Sequence, residues 1–432
     1  MIVYLICYAA SWIFARFGLY YLSGAALFLA AGYLYAYDYR RSGNLIHLRG
    51  LFSCFWVGGQ GAACLKLSKL QTDWVLQTWI CFFLALVGFW ITFEVLDRLM
   101  GGNERFTMNR YRQRSTVRPL FFCIVGLTVI SAAAFVTEAA VLGFIPVLVR
   151  GVPHAYSAFH MTGLHYVTVS CVLIPAMTVL YFEQGGSRSG RKNGLIVLCT
   201  LVSIAIPILC VSRFQLVFAV ILAVFTFCAS QKNVSPWLFV AAVVALIPCY
   251  VLLTVARSHD VTYLNGIFEM KNAATPIFIT QPYMYIANNY DNFDCLVREL
   301  PAHSMGLKGM FPLWALSGLK FIKPALVDWP IYVNKEELTT VTLFYDAYYD
   351  FGIAGVFLFS SVLGAAAAWL SARTYPGRNP AWYLFYSQGA LYFMLSFFTT
   401  WYSNPTTWFY FVVTGAFGIF LEIKHNRRRR QL

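Results

Sequence analysis

The sequence predicts an all-α, polytopic membrane protein with about twelve transmembrane helices and one large extracytoplasmic loop. Three observations lead there. Residues of the AVILMFWYC set make up 59% of the 432-residue chain and charged residues only 12%, against roughly 45–50% and 25% in soluble domains. The apolar residues gather in runs of about 20, the length that crosses a hydrocarbon core at 1.5 Å per residue. Ten of the 18 acids fall in a single segment between two such runs. A soluble enzyme with one core is excluded, and 18% aromatics with 30 scattered glycines exclude disorder, collagen and coiled coil.

Apolar runs separated by charge are expected to span at roughly 2–18, 19–37, 48–66, 74–97, 119–145, 162–182, 194–211, 214–230, 236–255, 352–371, 382–401 and 406–423. Arg16 interrupts the first pair, and Gly58-Gly59-Gln60-Gly61 crosses the middle of the third run, so these are the weakest spans. Three regions follow. Residues 1–255 form an N-terminal bundle of about nine helices, 256–350 the extracytoplasmic loop, and 351–432 the last helices with a basic cytoplasmic tail.

Orientation comes from the basic residues. With a cytoplasmic N-terminus, inner segments carry 19 Lys and Arg, while short outer segments carry four: Lys66, Lys69, Arg150 and Arg213. Lys and Arg collect in inner loops, so both termini are expected inside. The +14 net charge is then topological. No recognition motif accompanies it, and nucleic acid is not an expected partner. The Arg427–Arg430 run reads as a topology anchor that can also meet anionic lipid. Glu94 and Arg98, spaced i,i+4, read as a structural ion pair.

Cysteine carries little chemistry here. Ten of the 11 lie inside apolar runs, and only Cys295 sits in a polar stretch, so no disulfide pair is expected. No C-x-x-C or H-E-x-x-H pattern occurs, and Asp291-x-x-Asp294 supplies fewer oxygen ligands than a divalent site gathers. No metal and no cofactor are expected. The N-terminus lacks a basic n-region with a small-residue cleavage site, so the first run is expected to stay in the membrane.

The 256–350 segment differs from the rest. It holds Asp260, Glu269, Asp291, Asp294, Glu299, Asp328, Glu336, Glu337, Asp346 and Asp350, with His259 and His303, and is rich in Tyr, Trp, Pro and Asn. Structureless loops of this length are unusual. Thr275–Val297 and Met305–Phe321 are expected to form amphipathic helices. Trp314, Trp329, Tyr283 and Tyr285 suit both a membrane–water boundary and stacking on sugars.

Short patterns then become legible. Ser212-Arg213 joins two closely spaced spans; Asn289-Tyr290-Asp291-Asn292 stands in the long loop; Thr340-Val341-Thr342 precedes Tyr349-Asp350-Phe351-Gly352-Ile353-Ala354-Gly355 at the start of the next span. With the overall layout, they resemble the oligosaccharide repeat-unit polymerases, the O-antigen polymerase or Wzy class. The resemblance covers nearly the whole chain in layout, though its motifs are short. It implies a GT-C-like glycosyltransferase of the bacterial cytoplasmic (inner) membrane, with its active site on the outer face. Such an enzyme moves a growing glycan from polyprenyl (undecaprenyl) diphosphate to a hydroxyl of an incoming lipid-linked repeat unit. The implied partners are the lipid-linked donor and acceptor, membrane lipid, a chain-length regulator and a flippase.

That chemistry asks for a cation at the leaving diphosphate, an acceptor for the hydroxyl proton and an oily groove. Arg213 and Arg257 are the diphosphate candidates, because each lies at an outer helix end and guanidinium pairs with phosphate through two donors. Arg298, Lys308 and Lys320 stand behind them. Asp291, His303 and Asp346 are the candidate bases. Related O-antigen ligases carry a His ahead of a similar Gly-x-x-Gly, whereas Thr339–Tyr345 holds none, so the base stays open among the three. Tyr290, Asn292, Tyr345 and Glu138 are candidate glycan contacts. Glu138, an acid inside an apolar run, is costly unless paired, and a structural pairing with Arg150 or Arg257 is the stronger expectation. The alternatives are an O-antigen-ligase-type or other lipid-linked glycosyltransferase and a lipid-linked glycan transporter. A transporter is disfavoured because no internal repeat is visible.

Overall fold

A computed structural model describes residues 1–100, 116–149, 155–231, 261–272, 274–374 and 379–429, with 234, 235, 237, 241 and 244 between them. Its main helices are α1 (Ile2–Arg16), α2 (Tyr20–Ser42), α3 (Leu48–Cys64), α4 (Leu76–Leu99) and α5 (Val117–Leu142). Next come α6 (Leu164–Glu183), which passes through a 3₁₀ turn at Ser170–Leu173, α7 (Gly190–Leu209) and α8 (Arg213–Ser230). The remainder are α9 (Val261–Phe268), α10 (Ile277–Glu299), α11 (Tyr345–Arg373), α12 (Ala381–Met394) and α13 (Pro405–Arg429). Among the described residues there is no strand, only an isolated bridge between Ser68 and Met270.

Seven of these helices are long and apolar enough to cross a membrane: α4, α5, α6, α7, α8, α11 and the Pro405–Lys424 part of α13. The protein is therefore an all-helical, multi-pass membrane protein. Eleven expected spans fall on helices, and the twelfth, 236–255, lies almost wholly outside the described residues. One expected span is shorter than its apolar run. α12 stops at Met394 rather than near 401, because Leu395–Thr400 turns back on itself and a 3₁₀ turn follows at Trp401–Ser403.

Two compact units cut across the three sequence regions. The first comprises residues 1–105, 260–372 and 392–407, and the second comprises 106–259, 373–391 and 408–432. Much of the long loop thus belongs to the same body as α1–α4.

The core of the first unit explains the aromatic surplus. Phe52 stacks on Phe89 with centroids 4.2 Å apart, Trp56 meets Phe344 at 4.8 Å, and Phe82 meets Phe293 at 5.0 Å. The glycines that weakened the third run are its packing surface. A Cβ at Gly61 would stand 3.1 Å from both the Phe28 ring and the Gly24 carbonyl, and Gly59 lies under the Tyr290 ring. α4 and α11 approach equally closely. A Cβ at Gly364 would run into the Phe89 carbonyl, and one at Gly88 into Ser360. Backbone cannot step aside as a side-chain end can, so Gly364→Ala is expected to cost about 1–3 kcal/mol. The check is the thermal unfolding midpoint in detergent; an unchanged midpoint contradicts the packing.

One end of this unit is held by charge. The buried Arg49 guanidinium binds both Asp38 oxygens at 3.1 Å, reaches Glu94, and lies 4.2 Å over the Trp90 ring. Glu94 also takes Arg41 at 3.0 Å and Arg98 at 2.8 Å. The i,i+4 pair read from the sequence is present, as one edge of a larger network.

The second unit contains α5–α8 with parts of α12 and α13. Gln388 donates to Thr414 at 2.6 Å, Asn379 to the Gly418 carbonyl at 2.6 Å, and Tyr410 to the Val169 carbonyl at 3.3 Å.

Candidate functional site

The site is framed by α10, whose sequence reads as amphipathic but whose central stretch is buried on every side. Four consecutive residues reach several neighbouring segments, and Asn289 and Asn292, about one turn apart, both meet Thr340. Asn289 donates to the Tyr285 and Phe397 carbonyls and accepts from Thr340 at 2.6 Å. Tyr290 donates to the Trp56 carbonyl at 2.9 Å. Asp291, 2% exposed, takes Lys66 Nζ at 2.7 Å, Gln71 at 2.7 Å and Trp74 at 2.8 Å. Asn292 donates to Leu338 and Thr340 and accepts from Asn334, bracing the 334–340 strap. Two residues on, Asp294 accepts from the Val75 amide at 3.0 Å and Thr78 at 2.6 Å, capping α4 from another helix.

Burial pushes the Asp291 carboxyl above the usual carboxylate range, and the Lys66 ammonium pulls it part of the way back. Asp291, Tyr290 and Asn292 therefore hold the fold together. All three are buried and hydrogen-bonded within the protein, and none of them lines the cavity described below.

The Tyr349–Gly355 motif is a kinked helix start. Phe351 and Gly352 leave helical geometry, Gly352 with φ +59°, a conformation an L side chain rarely adopts. The kink turns the Tyr349 and Asp350 carbonyls toward the Ser304 and Met305 amides, each at 3.2 Å. The Asp350 carboxylate completes the clamp by accepting from Ser304, from the Lys308 amide at 3.2 Å and from the Gly309 amide at 2.9 Å. His303 belongs to the same clamp. It is exposed, with Nδ1 3.3 Å from the Tyr349 carbonyl, and a Cβ on Gly352 would meet its ring at 3.0 Å.

The clamp sets Lys308 at the wall of a cavity of about 440 Å³, within the range of small-molecule sites. Four separated stretches line it, with Lys308 from the first, Trp329 from the second, Tyr345 and Asp346 from the third, and Thr399, Thr400 and Ser403 from the fourth. Lys308 Nζ lies 4.0 Å from Asp346 and 4.5 Å from the Tyr349 ring centroid. Thr400 and Ser403 present hydroxyls to the Asp346 carboxylate. Tyr345 is fixed by two bonds to Tyr332, at 2.8 and 3.0 Å. Burial lowers the Lys308 ammonium from its ordinary value of 10.5, while Asp346 and Asp350 oppose that shift. One cation, one carboxylate, several hydroxyls and aromatic walls thus share one opening.

Other candidates are elsewhere. Arg298 is tied to Asp294 at 2.6 Å and to the Asp73 carbonyl, and Lys320 lies 5.0 Å over the Phe321 ring. Arg213, largely buried, is the first residue of α8 in the second unit, two residues after Val211 at φ +53°. Arg257 lies outside the described residues. Glu138 is also in the second unit and has no exposed surface. It accepts from Thr168 at 2.7 Å and the Met161 amide at 3.1 Å, with both oxygens 3.2 Å from His165 Nδ1. His165 is thus its ionisable partner among the described residues, and Arg150 and Arg257, the partners expected for it, lie outside them.

No protein family, characterised protein or solved structure matches this chain. Its reading therefore stands on the site itself. Sequence reasoning passed over Lys66, Trp74 and His165, whose partners lie 225, 217 and 27 residues away. A lysine directly after an apolar run was the one available signal for Lys66.

Proposed function

We propose that this protein is a glycan polymerase. It transfers a growing chain from polyprenyl diphosphate to a hydroxyl of an incoming lipid-linked repeat unit, on the outer face of a bacterial cytoplasmic membrane. The observation that carries this reading is the cavity in which Lys308 and Asp346 stand 4.0 Å apart among Tyr345, Trp329 and the hydroxyls of Thr399, Thr400 and Ser403. In the transfer, the acceptor oxygen attacks the anomeric carbon and the bond from that carbon to the diphosphate oxygen breaks. The electron pair leaves with the diphosphate, and the hydroxyl proton passes to Asp346. Lys308 stabilises the charge that develops on the leaving oxygens, while Tyr345 and Trp329 offer faces for sugar rings. Arg213 and Arg257 stay as further candidates for the diphosphate. About twelve spans, a GT-C-like arrangement and cytoplasmic termini belong to the same proposal, and the distribution of Lys and Arg supports the last of these.

Reconstitution tests it. Purified protein in liposomes with a short lipid-linked repeat unit is expected to yield a ladder of two or more repeats and released polyprenyl diphosphate, with no nucleotide sugar added. Movement of the intact lipid-linked unit across the bilayer without a ladder would establish a transporter instead.

A further inference from the structure

At the Arg49 end of the first unit, a second cavity of about 630 Å³ is lined by Tyr33, Ala36, Tyr37, Arg40, Arg41 and Arg98. We propose that this cavity binds the phosphate headgroup of an anionic membrane lipid, whose hydrocarbon chain lies in the groove between α2 and α4.

The charge comes first. Three arginines line the cavity, and among the described residues no carboxylate does. Of the nearby acids, Asp38 is taken by Arg49, and Glu94, outside the lining, is shared by Arg49, Arg41 and Arg98. Asp97, beside Arg98 on α4, is not part of the lining. Arg98 gives Nε and Nη2 to Glu94 at 2.8 and 2.7 Å, which leaves Nη1 without a partner among the described residues. Arg40 is exposed, and among the described residues it makes no ion pair or hydrogen bond. Glu94 thus holds one edge of the Arg98 guanidinium and leaves another open, the forked geometry that suits a phosphate.

The groove supplies the second half. Leu29, Tyr33, Tyr37 and Arg40 recur at three- and four-residue spacing along α2, and Ile91, Val95 and Arg98 do so along α4. The Tyr37 and Trp90 rings, 6.4 Å apart, set the two helices side by side. Leu29, Ile91 and Val95 are 71%, 51% and 49% exposed, so apolar surface leads directly away from the arginines. A soluble phosphate ester would have no use for that wall. Tyr33 and Tyr37 line the cavity and stand between Leu29 and Arg40 along α2, amphipathic side chains at the join of the two regions.

The test is native mass spectrometry of the full-length protein, titrated with phosphatidylglycerol, phosphatidylcholine or inorganic phosphate. The wild type is expected to retain one phosphatidylglycerol through delipidation and no phosphatidylcholine. Arg40→Gln, which removes no contact that holds the fold, is expected to weaken that retention roughly fivefold, and addition of Arg98→Gln to remove it. Replacing Arg427–Arg430 by glutamine is expected to leave it unchanged. Equal retention of phosphatidylcholine, undiminished retention in the double variant, or loss on changing the tail alone would overturn the proposal. Inorganic phosphate that binds as tightly as the lipid would overturn the lipid as its source.

Discussion

Lys308→Ala is expected to lower chain extension in reconstituted protein by about two to three orders of magnitude, with protein yield and unfolding midpoint close to wild type. A preorganised donor to a developing oxyanion contributes about 10²–10³ in rate. The structure explains why the fold should survive. The Lys308 backbone amide, not its side chain, is held by Asp350, and the side chain meets Asp346 only at 4.0 Å. Asp346→Asn is expected to cost rate in the same assay.

The alkaline limb gives an independent readout. Because burial lowers the Lys308 ammonium below its ordinary value, the cation is lost, and extension falls, at a lower pH than an exposed lysine would require. The sign for stability is opposite. Between the folded and unfolded values the native state binds fewer protons, so this group adds stability as pH rises. A fall in rate accompanied by an undiminished unfolding midpoint thus points to the cation rather than to unfolding. Lys308→Arg is expected to move the limb to higher pH. A wild-type rate in Lys308→Ala would remove this residue from the mechanism.

The largest expected loss of stability follows from Asp291→Ala. Lys66, 5% exposed, would be left as a buried ammonium without its carboxylate, and Gln71 and Trp74 would lose their acceptor. Breaking a buried ion pair from one side costs about 3–5 kcal/mol, enough to remove much of the folded protein. Asp291→Asn keeps an acceptor for Trp74 or Gln71 but not the charge, and should fall between the two. The combined Lys66→Met, Asp291→Leu variant is expected to recover part of the loss, because two apolar side chains leave no orphaned charge. Detergent-solubilised yield and thermal unfolding midpoints measure all three. A fully stable but inactive Asp291→Ala would instead give Asp291 the catalytic role first considered for it.

Residues differ in how far the sequence reveals them. The spans are legible because lipid demands about 20 apolar residues in succession, a local property that needs no partner. The kink at Gly352 is legible as a motif, since glycine and its neighbours stand together in the chain. Its purpose is not, because the clamp on Ser304, Lys308 and Gly309 joins segments some 40 residues apart. The tetrad shows the limit most clearly. Asn, Tyr, Asp and Asn in a polar stretch look like sugar contacts, yet each makes a hydrogen bond to a residue outside its own helix.

Composition, run length and charge placement by themselves determined an all-helical, multi-pass membrane protein with one long polar segment near its C-terminal third. Those properties follow from the solvent each residue must face. Only the tertiary structure decided that Lys308, rather than Arg298 or Lys320, which stood level with it on sequence, shares a cavity with Asp346, and that Asp291 belongs to Lys66. Burial and pairing depend on which distant segments fold against one another, and a polar side chain reads alike in sequence whether it meets a ligand or a partner.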